Sequence, residues 1–210
     1  LPACAIIKHT NPCGIAEADD LSTAWSRALA GDPVSAFGGI IALNRKLERS
    51  VAEKINGIFF EVIIAPDYDD DALQVLKQKK NRIILLQKKQ ATGNKMFKSL
   101  LNGVVEQNKD TALATPYTLK TVTSTAPTPA QVNDLLFAEK CVKHLKSNTI
   151  VLARDKQLVG MGCGQTSRID ALKQAISKAK EFGFELRGTV MVSDAFFPFS
   201  DCVEIANAEG

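Results

Sequence analysis

Apolar positions recur in short blocks whose spacing switches between strand-like and helix-like along the chain. Ala3 to Lys8 is a compact apolar run that ends in Thr10-Asn11-Pro12-Cys13-Gly14, which predicts a buried strand stopped by a turn. Leu21, Trp25, Ala28 and Leu29 then fall at i, i+4, i+7 and i+8, so Leu21 to Ala30 is expected to be helical, with Gly31 and Pro33 as its stop signal. A strand at Gly39 to Leu43, a helix near Glu48 to Asn56 and a strand at Phe60 to Ile64 continue the rhythm. Asp67, Asp69, Asp70 and Asp71 precede a helix that Lys77, Lys79 and Lys80 close, the order of charges that a helix dipole favours. Ile83 to Leu86 predicts another strand.

The periodicity then lapses. Lys88 to Asn102 is polar and Thr111 to Pro129 is rich in Thr and Pro, so residues 88–128 are expected to form a linker or excursion with at most a short strand at Lys120 to Val122. Thr128 and Pro129 open a helix reaching about Lys146, followed by strands at Thr149 to Ala153 and Leu158 to Met161, a helix at Ser167 to Phe182 and a strand at Thr189 to Val192. The expected class is α/β, with a first unit over 1–87 and a second over 129–210. Ligands of such folds bind where loops converge beyond the strand ends.

Composition narrows the function classes. The 210 residues carry 26 basic and 23 acidic side chains, a formal net charge of +3, and no basic cluster interleaved with aromatics, so nucleic acid is not the expected partner. No apolar run approaches the ~18 residues of a membrane span, and the start at Leu1-Pro2 has no basic signal region, so a membrane partner is not expected either. The 5 cysteines, Cys4, Cys13, Cys141, Cys163 and Cys202, are odd in number and scattered, which fits a reducing cytoplasm better than a disulfide framework or a zinc knuckle.

Four constellations carry candidate chemistry. Lys8-His9 ends the first strand, where an imidazole can take a proton and an ammonium can oppose negative charge. The two converge on one substrate only if the strand has ended by His9, because side chains alternate faces along a strand. The plainer reading is a solvated Lys beside a hydrogen-bonded His. His144, amid Lys140, Lys143 and Lys146, is expected on the surface. Ser35-Ala36-Phe37-Gly38-Gly39 permits close backbone approach to a ligand, or is a plain turn. Gly160-Met161-Gly162-Cys163-Gly164 leads into Gln165-Thr166-Ser167-Arg168, so its amides could hold an anion at a helix start, although the spacing is not that of a dinucleotide fingerprint. Ser193-Asp194-Ala195-Phe196-Phe197-Pro198-Phe199-Ser200-Asp201 sets aromatics beside acids, as suits a flat heteroaromatic ligand, or holds core Phe residues with Asp201 as an N-cap.

In order, Lys8 to Gly14, Asp32 to Gly39, Val62 to Pro66, Lys146-Ser147-Asn148, Gly162 to Arg168 and Ser193 to Asp201 closely resemble the AICAR transformylase domain of the bifunctional purine biosynthesis family. The resemblance runs from Leu1 to Gly210. It implies two cytidine-deaminase-like subdomains with mixed sheets flanked by helices, in an intertwined homodimer with active sites at the subunit interface. It implies formyl transfer from 10-formyltetrahydrofolate to the 5-amino group of aminoimidazole carboxamide ribonucleotide (AICAR). The chain lacks both the H-x-E and the P-C-x-x-C signature of zinc deaminases, since Thr10 and Asn11 follow His9 and Ala16 stands where a second Cys would be, so no zinc is expected. A structural potassium ion is known in some of these enzymes. Carried over by position, His9 is the general base, Lys8 the transition-state stabiliser, and Gly38, Glu61 and Asn148 contact the ribonucleotide, with Asn148 also assisting proton transfer. Arg168 and Ile169 match the nucleotide and folate boundary, and Phe196 and Asp201 the folate and carboxamide side. In the family a cyclohydrolase domain precedes this stretch, and a Pro-Gly-Gly segment and an Arg-containing stretch follow it. None of these occurs in the sequence, so the chain alone is expected to form ribonucleotide-facing pieces of the site and turn over little folate.

Overall fold

In the structure, a computed structural model that describes residues 1–89 and 93–210, the chain doubles back sooner than the sequence predicts. Strands β1 (Ala3–Lys8) and β2 (Asn11–Glu17) pair antiparallel across only His9 and Thr10, with Lys8 opposite Asn11. Both turn residues are left-handed, with φ of 53° and 67°, the backbone twist that suits a two-residue hairpin. The expected turn over Thr10 to Gly14 is therefore mostly strand. Pro12 and Gly14 hide it from a sequence reading, yet Pro12, Gly14 and Ala16 are buried in strict alternation. Pro12 is tolerated because the register slips between Ile6 and Ile7, next to its partner position.

Helix α1 (Leu21–Gly31) starts at Asp20, whose carboxylate accepts from the Thr23 N–H at 2.8 Å. Its buried face, Leu21, Ala24, Trp25 and Ala28, packs on β2. The contact is close enough to require Gly14, because a Cβ there would lie 1.8 Å from the Ala28 carbonyl oxygen. Strand β3 (Gly39–Leu43), helix α2 (Arg49–Ile55), strand β4 (Phe60–Ala65), helix α3 (Asp70–Leu76) and strand β5 (Ile83–Leu86) complete the first half. β3, β4 and β5 are mutually parallel, joined by crossovers through α2 and α3, and β3 runs antiparallel beside β1.

Two further strands, β6 (Lys95–Leu100) and β7 (Gly103–Asn108), form a separate hairpin within the stretch expected to be linker. Its apolar residues alternate with Lys, Ser and Glu on both faces, and all its residues are exposed, so the pattern carries no one-sided burial signal. Residues 120–122 form no strand; without a partner edge the Thr-rich run stays irregular. Helix α4 (Pro129–Val142) begins with a capping box in which Thr128 and Gln131 satisfy each other's backbone N–H groups. Strands β8 (Ile150–Arg154) and β9 (Gln157–Gly162) form a second hairpin across Asp155 and Lys156, again with both φ positive at 51° and 58°. Helix α5 (Arg168–Glu181), strand β10 (Val190–Ser193) and helix α6 (Asp201–Glu209) follow. The N-cap of α6 is Ser200, not Asp201, which is the first helical residue.

The strands of both halves join one sheet in the order β10-β8-β9-β2-β1-β3-β4-β5, so the chain is α/β with a mixed sheet. Its centre is palindromic: hairpin, helix and returning strand occur as β1-β2-α1-β3 and again as β8-β9-α5-β10. Within the sheet the halves pair through Ala16 and Gln157, reinforced by the Glu17 N–H donating to the Lys156 carbonyl at 2.9 Å, and Arg27 adds side-chain hydrogen bonds to Gln157 and to the Asp155 carbonyl. Alternation along β8 separates two cores: Ile150 and Leu152 face α5, and Val151 and Ala153 face α4 on the opposite side. Among the described residues no helix is long and apolar enough to cross a membrane.

Candidate functional site

The pairing directions bring distant segments to one edge of the sheet. β1 is antiparallel to β2 and β3, β2 to β9, β9 to β8, and β8 to β10. As a result the His9-Thr10 turn, the starts of β3, β4 and β8, and the ends of β9 and β10 all lie along the same edge. The candidate residues Lys8, His9, Gly38, Glu61, Asn148 and Arg168 map onto that edge, in two groups.

The first group surrounds the β1-β2 turn. β1 ends at Lys8 and His9 is left-handed, so the pair escapes the alternation that would have sent the two side chains to opposite faces. The Lys8 ammonium donates to the Phe37 carbonyl at 3.1 Å. Gly38 is left-handed at φ 76° and its N–H donates to the Phe59 carbonyl at 2.9 Å, which joins the loop before β3 to the start of β4. The Phe37 and Phe59 rings reinforce that junction at 5.1 Å between centroids. Glu61 and the His9 imidazole are exposed, and among the described residues no side chain bonds the imidazole.

The second group is organised by Asp194. One oxygen of its carboxylate accepts from the Thr149 N–H at 3.0 Å and from an Arg168 guanidinium nitrogen at 3.0 Å, while the other accepts from the Ser147 hydroxyl. Partial burial would raise the Asp194 pKa, but the Ser147, Thr149 and Arg168 hydrogen bonds outweigh it and hold the carboxyl below the ordinary range. Arg168 also donates to the Ser193 hydroxyl at 2.7 Å. Asn148, which follows a cis peptide, donates from its side chain to the carbonyls of Gln165 at 3.0 Å and Thr166 at 3.3 Å. Asp194 stands in the Ser193–Asp201 motif, but the sequence assigns it no individual role; the structure makes it the hub of this cluster.

Gly160 to Gly164 does not form the expected anion-holding loop. Gly160 and Gly162 lie within β9, where an added Cβ would come within 2.3 Å of the Ala175 oxygen and 2.0 Å of the Ala171 oxygen, so these glycines admit α5. The Gly164 and Gln165 amides are already donated to the carbonyls of Lys146 at 2.8 Å and Asn148 at 3.4 Å, which leaves them no free proton for an anion. Ile169 packs partly into the α5 core and Phe196 is 80% exposed beyond β10. Asp201 accepts from the Cys202 N–H at 2.7 Å at the head of α6. His144 is exposed as expected. Among the described residues, no three His, Cys, Asp or Glu side chains gather as a metal site.

Three strand steps separate β1 from β8, so at ~4.8 Å per regular step Lys8 and Asn148 are at least about 14 Å apart along the edge. β2 and β9 also splay toward this edge, leaving a cavity of about 80 Å³ between them that Cys13, Cys163, Asp32 and Lys178 help to line.

A family model described as AICARFT/IMPCHase bienzyme matches residues 1–178. The chain belongs to that family. It is 62% identical over 206 residues to the bifunctional purine biosynthesis protein PurH of Bacteroides thetaiotaomicron, an alignment covering 98% of this chain and 41% of that protein. It is 49% identical to PurH of Aquifex aeolicus, over 99% of this chain and 40% of the relative, and 47% identical to PurH of Caldicellulosiruptor saccharolyticus, over 100% and 40%. The chain thus spans about two-fifths of the length of these curated relatives. Within this AICARFT/IMPCHase member, the six motifs that carry the resemblance include the two clusters on the sheet edge, so their spacing in sequence translates into one spatial feature.

Proposed function

We propose that this chain supplies the formyl-transfer machinery of a purine-biosynthetic bienzyme, moving a formyl group from 10-formyltetrahydrofolate to the 5-amino group of AICAR. The observation that carries the reading is Lys8 at the end of β1 with His9 on the exposed left-handed turn that follows, beside the Gly38 loop and on the same edge as Asn148 and Arg168, in a chain of this family.

In the reaction the amine lone pair attacks the formyl carbon and forms the new C–N bond. His9 takes the proton released from the amine nitrogen, and Lys8 opposes the oxyanion of the tetrahedral intermediate. Collapse breaks the bond between the formyl carbon and N10, and the proton returns to N10 as tetrahydrofolate leaves. Gly38, Glu61 and Asn148 hold the ribonucleotide, Glu61 by accepting from ribose hydroxyls. Arg168, Ile169, Phe196 and Asp201 border the nucleotide and folate. The separation of the two clusters, at least ~14 Å, supports a homodimer in which facing subunits complete each site, and the free, scattered cysteines support a cytoplasmic setting.

The test is tetrahydrofolate release by an enzyme of the relatives' full length that contains this chain. His9→Ala is expected to lower kcat about 100-fold to 10,000-fold, the usual worth of a general base, while AICAR binding by calorimetry persists. Near-normal turnover of His9→Ala at saturating substrates would remove His9 from the mechanism. A chain that binds AICAR while the wild type shows no folate-dependent turnover would instead support a nucleotide-binding module of the same family.

A further inference from the structure

The loop that meets Lys8 is anchored from the other half of the sheet. Asp32 closes α1 and is only 7% exposed. Its Oδ1 accepts from the Ser35 N–H at 2.8 Å and its carbonyl from the Ala36 N–H at 3.1 Å, so the residue organises the loop that follows. Its remaining oxygen, Oδ2, accepts from the Lys178 ammonium at 2.8 Å. Lys178 belongs to α5, beyond the junction of the two halves, and its ammonium sits 4.8 Å from the centre of the Phe182 ring and 3.6 Å from a Glu181 oxygen.

From Asp32 the contacts run on to the candidate site. Ala36 is fully buried, Phe37 offers its carbonyl to Lys8 at 3.1 Å, and Gly38 is tied to Phe59 at 2.9 Å. A continuous series of bonds therefore links α5 to the ammonium of Lys8. Removing the Lys178 charge leaves a buried carboxylate without its counter-ion, which such a site does not tolerate unchanged. Asp32 and Lys178 both line the cavity of about 80 Å³, which gives these two side chains room to shift when their pairing is broken.

We propose that Lys178 is a positioning residue for Lys8, acting through Asp32 and the Ser35–Gly38 loop. The proposal rests on Lys8 being the group that opposes the oxyanion in formyl transfer. It follows that the two halves of the sheet are coupled in function as well as in pairing. Displacement of a reacting group by about 1 Å can cost on the order of 100-fold in rate.

The experiment measures kcat and KM for formyl transfer in an enzyme of the relatives' full length carrying Lys178→Met, Asp32→Asn or Lys178→Arg. Lys178→Met and Asp32→Asn are expected to lower kcat about 10-fold to 100-fold, with KM for AICAR moving less than about threefold, because an interaction felt at the transition state is lost and ground-state binding is not. Lys178→Arg keeps the charge and is expected to restore most of kcat. In a Lys8→Arg background, with its own residual kcat as the reference, Lys178→Met is expected to add little, since both changes disturb the same group. Should Lys178→Met fail to fold, Asp32→Asn carries the test, because the amide oxygen still accepts from Ser35 while Lys178 loses its buried counter-ion and keeps only the exposed Glu181. Unchanged kcat in Asp32→Asn, or full additivity with Lys8→Arg, overturns the positioning role. If Lys8→Met itself leaves turnover intact, the formyl-transfer role of Lys8 falls instead, so the two failures are distinguishable.

Discussion

Replacing Gly162 by Ala tests how tightly the second half is assembled. The new Cβ would lie 2.0 Å from the Ala171 oxygen, 2.8 Å from its carbonyl carbon and 2.9 Å from its Cα. Carbon atoms in contact sit ~3.5 to 4.0 Å apart, so α5 must retreat from β9 by roughly 1.5 Å. The obstacle is backbone, which no rotamer change relieves. The retreat loosens the packing of Ala171, Leu172, Ala175 and Ile176, all buried, and disturbs the start of α5 where Arg168 reaches Asp194. Overpacking a core typically costs ~1 to 3 kcal/mol, and a backbone clash belongs at the upper end. At ~2 to 4 °C per kcal/mol for a chain of this size, Gly162→Ala should lower Tm by about 6 to 12 °C. Urea titration followed by circular dichroism should give a lower midpoint with an unchanged slope. Gly103→Ala is the control, since an added Cβ there meets nothing within 4 Å, and it should be neutral or slightly stabilising. A loss below about 1 kcal/mol for Gly162→Ala would refute the claim that β9 glycines exist to admit α5.

Three other outcomes are expected. The depressed pKa of Asp194 means that its ionised form is favoured in the native state, so its contribution to stability is full above the ordinary carboxylate pKa of ~3.9 and is lost as pH falls through the lower native value; acid titration of Asp194→Asn should show that limb flattened, and an unchanged limb would count against the Ser147-Thr149-Arg168 network. Burial pushes the Cys4 and Cys141 thiols up to about 12, and Cys202 is also buried, so a disulfide reagent at pH 8 should label Cys13 and Cys163 first and the other three only on unfolding; five equally fast thiols would contradict the packing. Elemental analysis after dialysis against a weak chelator should find no stoichiometric zinc, whereas one zinc per chain would overturn the expectation drawn from the missing ligand pattern.

Much of the architecture was legible in the order of residues. Period-3.6 burial in α1 and α5 and the apolar runs of β1, β3, β4, β5 and β8 are local properties, set by which side chains the nearest layer covers, and their boundaries agree with the sequence reading to within a residue or two. β2 was not legible, because Pro12 and Gly14 carry turn signals whose meaning depends on a register slip in one neighbour and on the close approach of α1 on the other side. β6 and β7 were missed for the opposite reason: with no buried face their side chains show no alternation of burial to detect.

The candidate site divides in the same way. Residue type and order singled out Lys8, His9 and the Gly160–Arg168 and Ser193–Asp201 segments, because the chemistry of an imidazole or a guanidinium does not depend on fold, whereas Asn148 and the role of Arg168 entered only through the family resemblance. Only the tertiary structure decided that these segments share one edge, since that follows from a chain of antiparallel pairings running from β10 to β3. It likewise made Gly160 and Gly162 packing residues and spent the Gly164 and Gln165 amides on internal hydrogen bonds. The bond between Asp32 and Lys178 spans 146 positions of sequence, a distance over which no local pattern could have paired them. Helical and strand periods reach only as far as the next few residues, whereas pairing across the sheet is settled by which buried faces and charges find each other once the chain has folded.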